Sequence, residues 1–307
     1  MNTLRVVFAG TPEFSVPSLR ELIKRRDIEI VRVYTRPDSK IGRGLKLIPS
    51  PVKKLAQSAN LSISEITSFR EEKEINELKR LKPDLLVVVA FGLILPRTII
   101  QIPKLAINVH ASLLPRWRGA APIQRCIAEG DLETGISIMR IVEELDAGPV
   151  LLKKSCPITQ EDTSGSMHIR LASLGGSALG SALDQILHST LSETYQDESQ
   201  VTYAAKIKSE ELAIDWSMAA PAIDRKIRSL HPKPGARTVI SGMELKIISA
   251  TVLMKKVKHS LGKVFIEDKT KLLVATSDGY LQIQELQVPG KKISDATTFI
   301  NGYGKFL

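Results

Sequence analysis

Cysteine is nearly absent from this chain. Cys126 and Cys156 are the only two in 307 residues, too few for a disulfide framework and in no metal-ligand spacing. The five histidines, His110, His168, His188, His231 and His259, are scattered without paired ligand spacing, so no metal is expected. No hydrophobic run approaches the roughly 20 residues of a membrane-spanning helix. The longest, Leu85 to Leu95, ends at Pro96 and reads as a strand buried on both faces, so no membrane partner is expected. Gly10-Thr11-Pro12 follows the first strand where a dinucleotide-binding protein would carry G-x-G-x-x-G. The second and third glycines are missing, which argues against NAD. Gly42-Arg43-Gly44 lacks the Lys-Ser/Thr of a phosphate loop, and as a bare pattern it is a solvated basic loop. No G-x-S-x-G elbow is present, and neither cysteine sits beside a base, so covalent nucleophilic catalysis has no support. Met1-Asn2-Thr3 run straight into apolar Leu4 to Ala9, which leaves no room for a targeting segment and makes the cytoplasm the expected compartment.

Positive charge is abundant, with 43 Lys and Arg against 33 Asp and Glu and a net formal charge of +10. That excess suits a polyanionic partner without proving one. Its placement is more telling. Between Arg36 and Lys54 stand Arg36, Lys40, Arg43, Lys46, Lys53 and Lys54 against a single Asp38.

The first part of the chain alternates apolar strands (Leu4 to Ala9, Ile28 to Tyr34, Leu61 to Ile66, Leu85 to Ala90, Ala106 to His110) with amphipathic helical stretches (Pro17 to Lys24, Pro51 to Ser58, Glu71 to Leu81). This β–α–β rhythm predicts an α/β, Rossmann-like parallel sheet covered on both faces. A further strand, Gly135 to Ile141, and a long helix, Thr163 to Leu187 with Thr163 as N-cap, complete the first domain, residues 1–204. Residues 205–209 form a polar linker. In 210–307 a helix, Ala219 to Leu230, precedes short strands separated by turns such as Ser277-Asp278-Gly279. That spacing predicts a small β-barrel of the oligonucleotide-binding type.

Asn108 and His110 close the strand of Ala106 to His110 two residues apart, so both side chains point the same way. An amide beside an imidazole serves acyl transfer, because the tetrahedral intermediate carries an oxyanion that needs donors. Downstream, Asp146 in Leu145-Asp146-Ala147-Gly148 presents a carboxylate at a tight turn. It either fixes the imidazole or caps its own turn through an Asx hydrogen bond; spacing leaves the two readings level. Trp117, between Arg116 and Arg118, is either a stacking platform for a base or a half-buried aromatic with two solvated neighbours. With covalent and metal chemistry unsupported, direct transfer to an amine remains.

The stretch Ile107 to Gln124, including Asn108, His110, Ser112-Leu113-Leu114-Pro115 and Arg116-Trp117-Arg118-Gly119-Ala120-Ala121-Pro122, resembles the signature of the folate-dependent formyltransferases. The likeness runs nearly end to end, from Phe8-Ala9-Gly10-Thr11-Pro12 through Leu145-Asp146-Ala147-Gly148 to Pro289-Gly290-Lys291-Lys292. The Arg116-to-Pro122 run, the basic loop and the second domain point to the family's tRNA-specific branch. The resemblance implies transfer of a formyl group from 10-formyltetrahydrofolate to the α-amino group of methionyl initiator tRNA by a monomeric enzyme. Asn108 and His110 would stabilise the oxyanion, and Asp146 would orient His110 and help remove the amine proton. The folate would lie near Phe91, Gly92, Leu93, Ser112, Leu113, Leu114 and Pro115. Arg43, Lys46, Arg116 and Arg118 would meet the tRNA. Three positions depart from the family's usual residues: Phe91 for Tyr, Glu144 for Gly, and Lys233 for Trp between Pro232 and Pro234.

Overall fold

The structure is a computed structural model that describes residues 3–41 and 46–306. Arg43 therefore lies outside the described residues, as does the side chain of Lys46. In chain order the elements begin β1 (Leu4–Gly10), α1 (Val16–Lys24), β2 (Ile28–Thr35), β3 (Ser39–Ile41), β4 (Lys46–Ile48), α2 (Pro51–Ser58), β5 (Ile63–Glu65), α3 (Glu72–Leu81) and β6 (Leu85–Val89). They continue with α4 (Arg97–Ile100), β7 (Leu105–His110), β8 (Arg118–Gly119), α5 (Pro122–Glu129), β9 (Glu133–Arg140), β10 (Val150–Pro157), α6 (Ser164–Leu187) and β11 (Tyr203–Ala204). Last come α7 (Ala220–Leu230), β12 (Ala236–Ile240), β13 (Met243–Leu253), β14 (Val264–Glu267), β15 (Lys271–Ala275), β16 (Tyr280–Gln287), β17 (Ile293–Asp295) and α8 (Ala296–Tyr303). The chain divides into two compact units, one of residues 1–119, 133–156 and 168–204, the other of 120–132, 157–167 and 205–307.

The first unit is built on a seven-stranded sheet of order β10-β9-β7-β6-β1-β2-β5. The longest apolar run of the sequence supplies its middle strand, β6, every residue of which is buried. The ladders from β5 through β2, β1 and β6 to β7 are parallel. β9, the further strand expected at Gly135 to Ile141, runs antiparallel to β7, a direction the sequence pattern left open. A parallel neighbour needs a crossover packed on the sheet face. The helix between β7 and β9, α5, instead groups with the second unit and packs on α7. Parallel strands place their C-terminal ends on one edge, where open α/β sheets bind ligands. Here that edge carries Gly10, Val89 and, at the end of β7, Asn108 and His110.

The second unit holds an antiparallel sheet of order β12-β13-β16-β15-β14, with β17 also on β16. Among the described residues no ladder joins β12 to β14, so the barrel is partly open, as this class often is. Its core gathers Ile223, Ile227 and Leu230 of α7 with Leu245, Ile247, Leu281, Ile283 and Phe299. Thr163 caps α6 as expected, its Oγ1 accepting from Ser166 N at 3.2 Å. Arg125 of α5 donates to Glu211 Oε1 at 3.0 Å, and Lys208 N donates to the same oxygen at 2.9 Å. The guanidinium, and then the amide, hold the Glu211 carboxyl down at about 2.

A depressed carboxylate contributes stability above its unfolded pKa and loses it as pH falls through the folded value. Glu211→Gln is therefore expected to lower the thermal midpoint at pH 7, with the difference from wild type shrinking between pH ~4.5 and ~2. Parallel melting curves across that range test it; a pH-independent difference would remove the carboxylate as the cause.

Candidate active site

The loop after β7 is fastened from beneath by a buried hydroxyl. Ser137 Oγ, beside His110 in the β7–β9 ladder, accepts from Leu114 N at 3.1 Å and donates to Ser112 O at 2.7 Å. Ser112 Oγ in turn donates to Arg116 O at 2.6 Å. These bonds bring the Trp117 carbonyl to His110 Nε2 at 2.9 Å. A carbonyl only accepts, so Nε2 carries a hydrogen and Nδ1 is the nitrogen left for chemistry.

Nδ1 faces Asp146 Oδ2 at 3.7 Å. The other oxygen, Oδ1, accepts from Asn108 Nδ2 at 3.4 Å, and Gly119 N donates to Oδ2 at 2.9 Å. Amide, imidazole and carboxylate thus converge across 38 residues of sequence. Asp146 adopts a left-handed conformation, with φ of 54°. Two residues on, Gly148 lets the loop fold back against β9: a Cβ there would sit 1.9 Å from the Arg140 carbonyl oxygen. The Asx-turn alternative for Asp146 is not what the structure holds. Its carboxylate bonds the remote Gly119 amide, and its turn is held by Gln196, whose Nε2 donates to Asp146 O at 2.7 Å and Gly148 O at 2.8 Å.

The remaining expected site residues separate by burial. Phe91 packs in the core against Phe69, with centroids 5.7 Å apart, and Ser112 and Leu114 are fully buried. Gly92 is exposed, with open space where a Cβ would stand, while Leu93, Leu113 and Pro115 are half-buried. The apolar side chains of Ile94, next to Leu93 in the chain, and of Leu145, next to Asp146, are exposed, at 81% and 72%. Arg116 is exposed, its guanidinium 4.4 Å over the buried Trp117 ring, so that ring is covered rather than an open platform. Arg118 departs from expectation outright. It is 1% exposed and bonded to Gln196 and Glu198, out of reach of a macromolecule. Sequence reasoning also missed Gln196, Ser137 and the Gly119 amide; Gly119 stands in the signature run, but no motif marks its N–H, Ser137 or Gln196, and each acts through a long-range contact. Lys233 is exposed and Glu144 lies 3.9 Å from Arg118. Among the described residues no three His, Cys, Asp or Glu side chains are grouped to hold a metal, and no helix is long and apolar enough to cross a membrane.

Two family models match this chain: Formyl transferase over residues 4–183 and Formyl transferase, C-terminal domain, over residues 206–304. The methionyl-tRNA formyltransferase of Methylococcus capsulatus is 47% identical over 301 residues, covering 98% of this chain and 97% of that protein. That of Coxiella burnetii is 44% identical over 306 residues, with 99% and 97% covered. Among solved structures, the sugar 3N-formyl transferase WlaRD aligns with a TM-score of 0.69 at 19% identity, over 95% of this chain and 100% of that one. HypX from Aquifex aeolicus, in complex with tetrahydrofolic acid, aligns with a TM-score of 0.63 at 18% identity over all of this chain, which spans 48% of HypX. At those identities the structural likeness is one of fold.

Ser137→Ala leaves the buried Leu114 N–H and Ser112 carbonyl without their partner, a loss of about 1–3 kcal/mol. Denaturant unfolding should show that loss with an unchanged m-value; a variant as stable as wild type would mean the loop is not fastened there.

Proposed function

The chain belongs to the formyl transferase family, and we propose that it moves a formyl group from 10-formyltetrahydrofolate to the α-amino group of methionyl initiator tRNA. The observation that carries this reading is the convergence of Asn108 and His110 on the Asp146 carboxylate at the ligand-binding edge of the sheet. The near full-length identity to methionyl-tRNA formyltransferases supports the acceptor.

The amine attacks the formyl carbon, a nitrogen–carbon bond forms, and the carbonyl oxygen becomes an oxyanion. Asn108 Nδ2 has two hydrogens, one committed to Asp146 and the other free for that oxyanion. Asp146, with His110 Nδ1 beside it, takes the proton the amine sheds. Cleavage of the bond to N10 of the donor then releases tetrahydrofolate, which receives a proton in exchange. No covalent enzyme intermediate is required. The donor lies along Gly92, Leu93, Leu113 and Pro115, where its aromatic rings cover the exposed Ile94 and Leu145.

Arg43, Lys46 and Arg116 meet the RNA, and the net charge of +10 favours its approach. Residues 1–204 act as the catalytic domain, 205–209 link it to the second, and 210–307 hold the RNA. The protein works as a monomer in the cytoplasm.

Labelled 10-formyltetrahydrofolate mixed with methionyl initiator tRNA should place label in acid-precipitable RNA, and methionyl elongator tRNA should stay unlabelled. Label in neither would move the acceptor to a small amine. Apparent affinity for the tRNA should fall as salt rises, through counterion release. Asn108→Ala is expected to lower kcat about 10²- to 10³-fold, roughly 2.7–4 kcal/mol; near wild-type turnover by folded protein would remove the oxyanion role.

A further inference from the structure

The Asp146 carboxylate is useful only while its turn holds still, and a left-handed turn at a residue with a side chain relaxes unless something over-determines it. Within the turn, Ala147 N donates to Glu144 O at a long 3.4 Å. Gln196, 50 residues downstream, supplies two hydrogen bonds from one amide, to Asp146 O at 2.7 Å and Gly148 O at 2.8 Å. Those bonds need the amide in one orientation, because a flipped group would set its oxygen against two carbonyls. Arg118 fixes that orientation: its Nε donates to Gln196 Oε1 at 2.9 Å. The guanidinium, 1% exposed, is in turn held by Glu198, with Nη2 donating to Oε1 at 2.7 Å and Nη1 to Oε2 at 3.3 Å.

The same two residues of chain reach the carboxylate from its other side. Gly119, next to Arg118, donates its N–H to Asp146 Oδ2. The Arg118–Gly119 strand is anchored on Tyr203–Ala204, with Arg118 N bonded to Thr202 O at 2.9 Å. Backbone and carboxylate of Asp146 are thus referred to one short strand, the backbone through Gln196 and the carboxylate directly.

We propose that Gln196 and Arg118 are positioning residues of the transfer reaction, a clamp that holds the Asp146 turn in its reactive place, with Glu198 as its outer anchor. The proposal rests on the reading of Asp146 as the proton acceptor. The Gln196 amide and the buried Arg118 guanidinium spend their hydrogen bonds within the protein, so the clamp acts on turnover and not on binding. Loss of about 1 Å of registry is enough to cost on the order of a hundredfold.

The test uses the full chain and steady-state kinetics for both substrates, with Asp146→Asn as reference. Gln196→Leu is expected to lower kcat about ten- to a hundredfold, with both KM values within about twofold of wild type. Arg118→Lys keeps a cation against Glu198 but not the fork that orients the amide, and it should fall in the same direction; it also serves if Gln196→Leu does not fold. In the Asp146→Asn background, Gln196→Leu should add little, because both changes act through one group. A Gln196→Leu enzyme with wild-type kcat, or a loss that multiplies in full onto that of Asp146→Asn, would overturn the clamp. Wild-type turnover by Asp146→Asn itself would instead sink the reading of Asp146 on which the clamp depends.

Discussion

The Asp146 carboxylate collects contacts from three groups on two remote stretches of the chain: the Asn108 amide and the His110 ring of β7, and the Gly119 backbone N–H. The rest of the first unit can be read as the means of keeping that group in place. The sheet brings Asn108 and His110 to a ligand-binding edge. The loop after β7 turns back so that Trp117 O pins the far side of the imidazole. The loop after β9 turns back at Gly148 so that the carboxylate arrives from the opposite direction. Each return leaves backbone groups to be satisfied, and Ser137 and Gln196 satisfy them.

Arg118 shows how a charge can serve such a site from inside. Burying a guanidinium carries a desolvation cost of several kcal/mol unless good hydrogen bonds offset it. Here a carboxylate and an amide oxygen supply them. A hydrophobic residue of similar volume would fill the space more cheaply, but it would leave the Gln196 amide without a fixed sense. Specific geometry, more than stability, explains a cation at that position.

The antiparallel strand β9 belongs to the same logic. Because α5 leaves the sheet for the second unit, β9 enters beside β7 from the opposite end. That direction sets Ser137 next to His110 and lets the following loop return over Asn108. A parallel β9 would have begun where it now ends, and its exit loop would have left from the other end of β7.

Hydrophobic patterning alone determined much of the fold. The run at Leu85 became the central strand, the 3.6-residue periodicity of Pro51 to Ser58 became α2, and the Asn108–His110 spacing placed both side chains on one face. These features depend on interactions between near neighbours, or on burial so complete that any fold must honour it. What the sequence left level, only tertiary structure decided. Asp146 as a turn cap or a partner of His110 is settled by Gly119, 27 residues away, and Trp117 as a platform or a covered ring by the pose of the adjacent Arg116 guanidinium; Arg118, expected at the RNA, is instead held inside by Gln196 and Glu198, 78 and 80 residues away. Gln196 lies in a polar stretch with no pattern of its own. Its role exists only because folding carries it to two carbonyls that the Asp146 turn leaves open, and long-range pairing of that kind writes no local period into the chain.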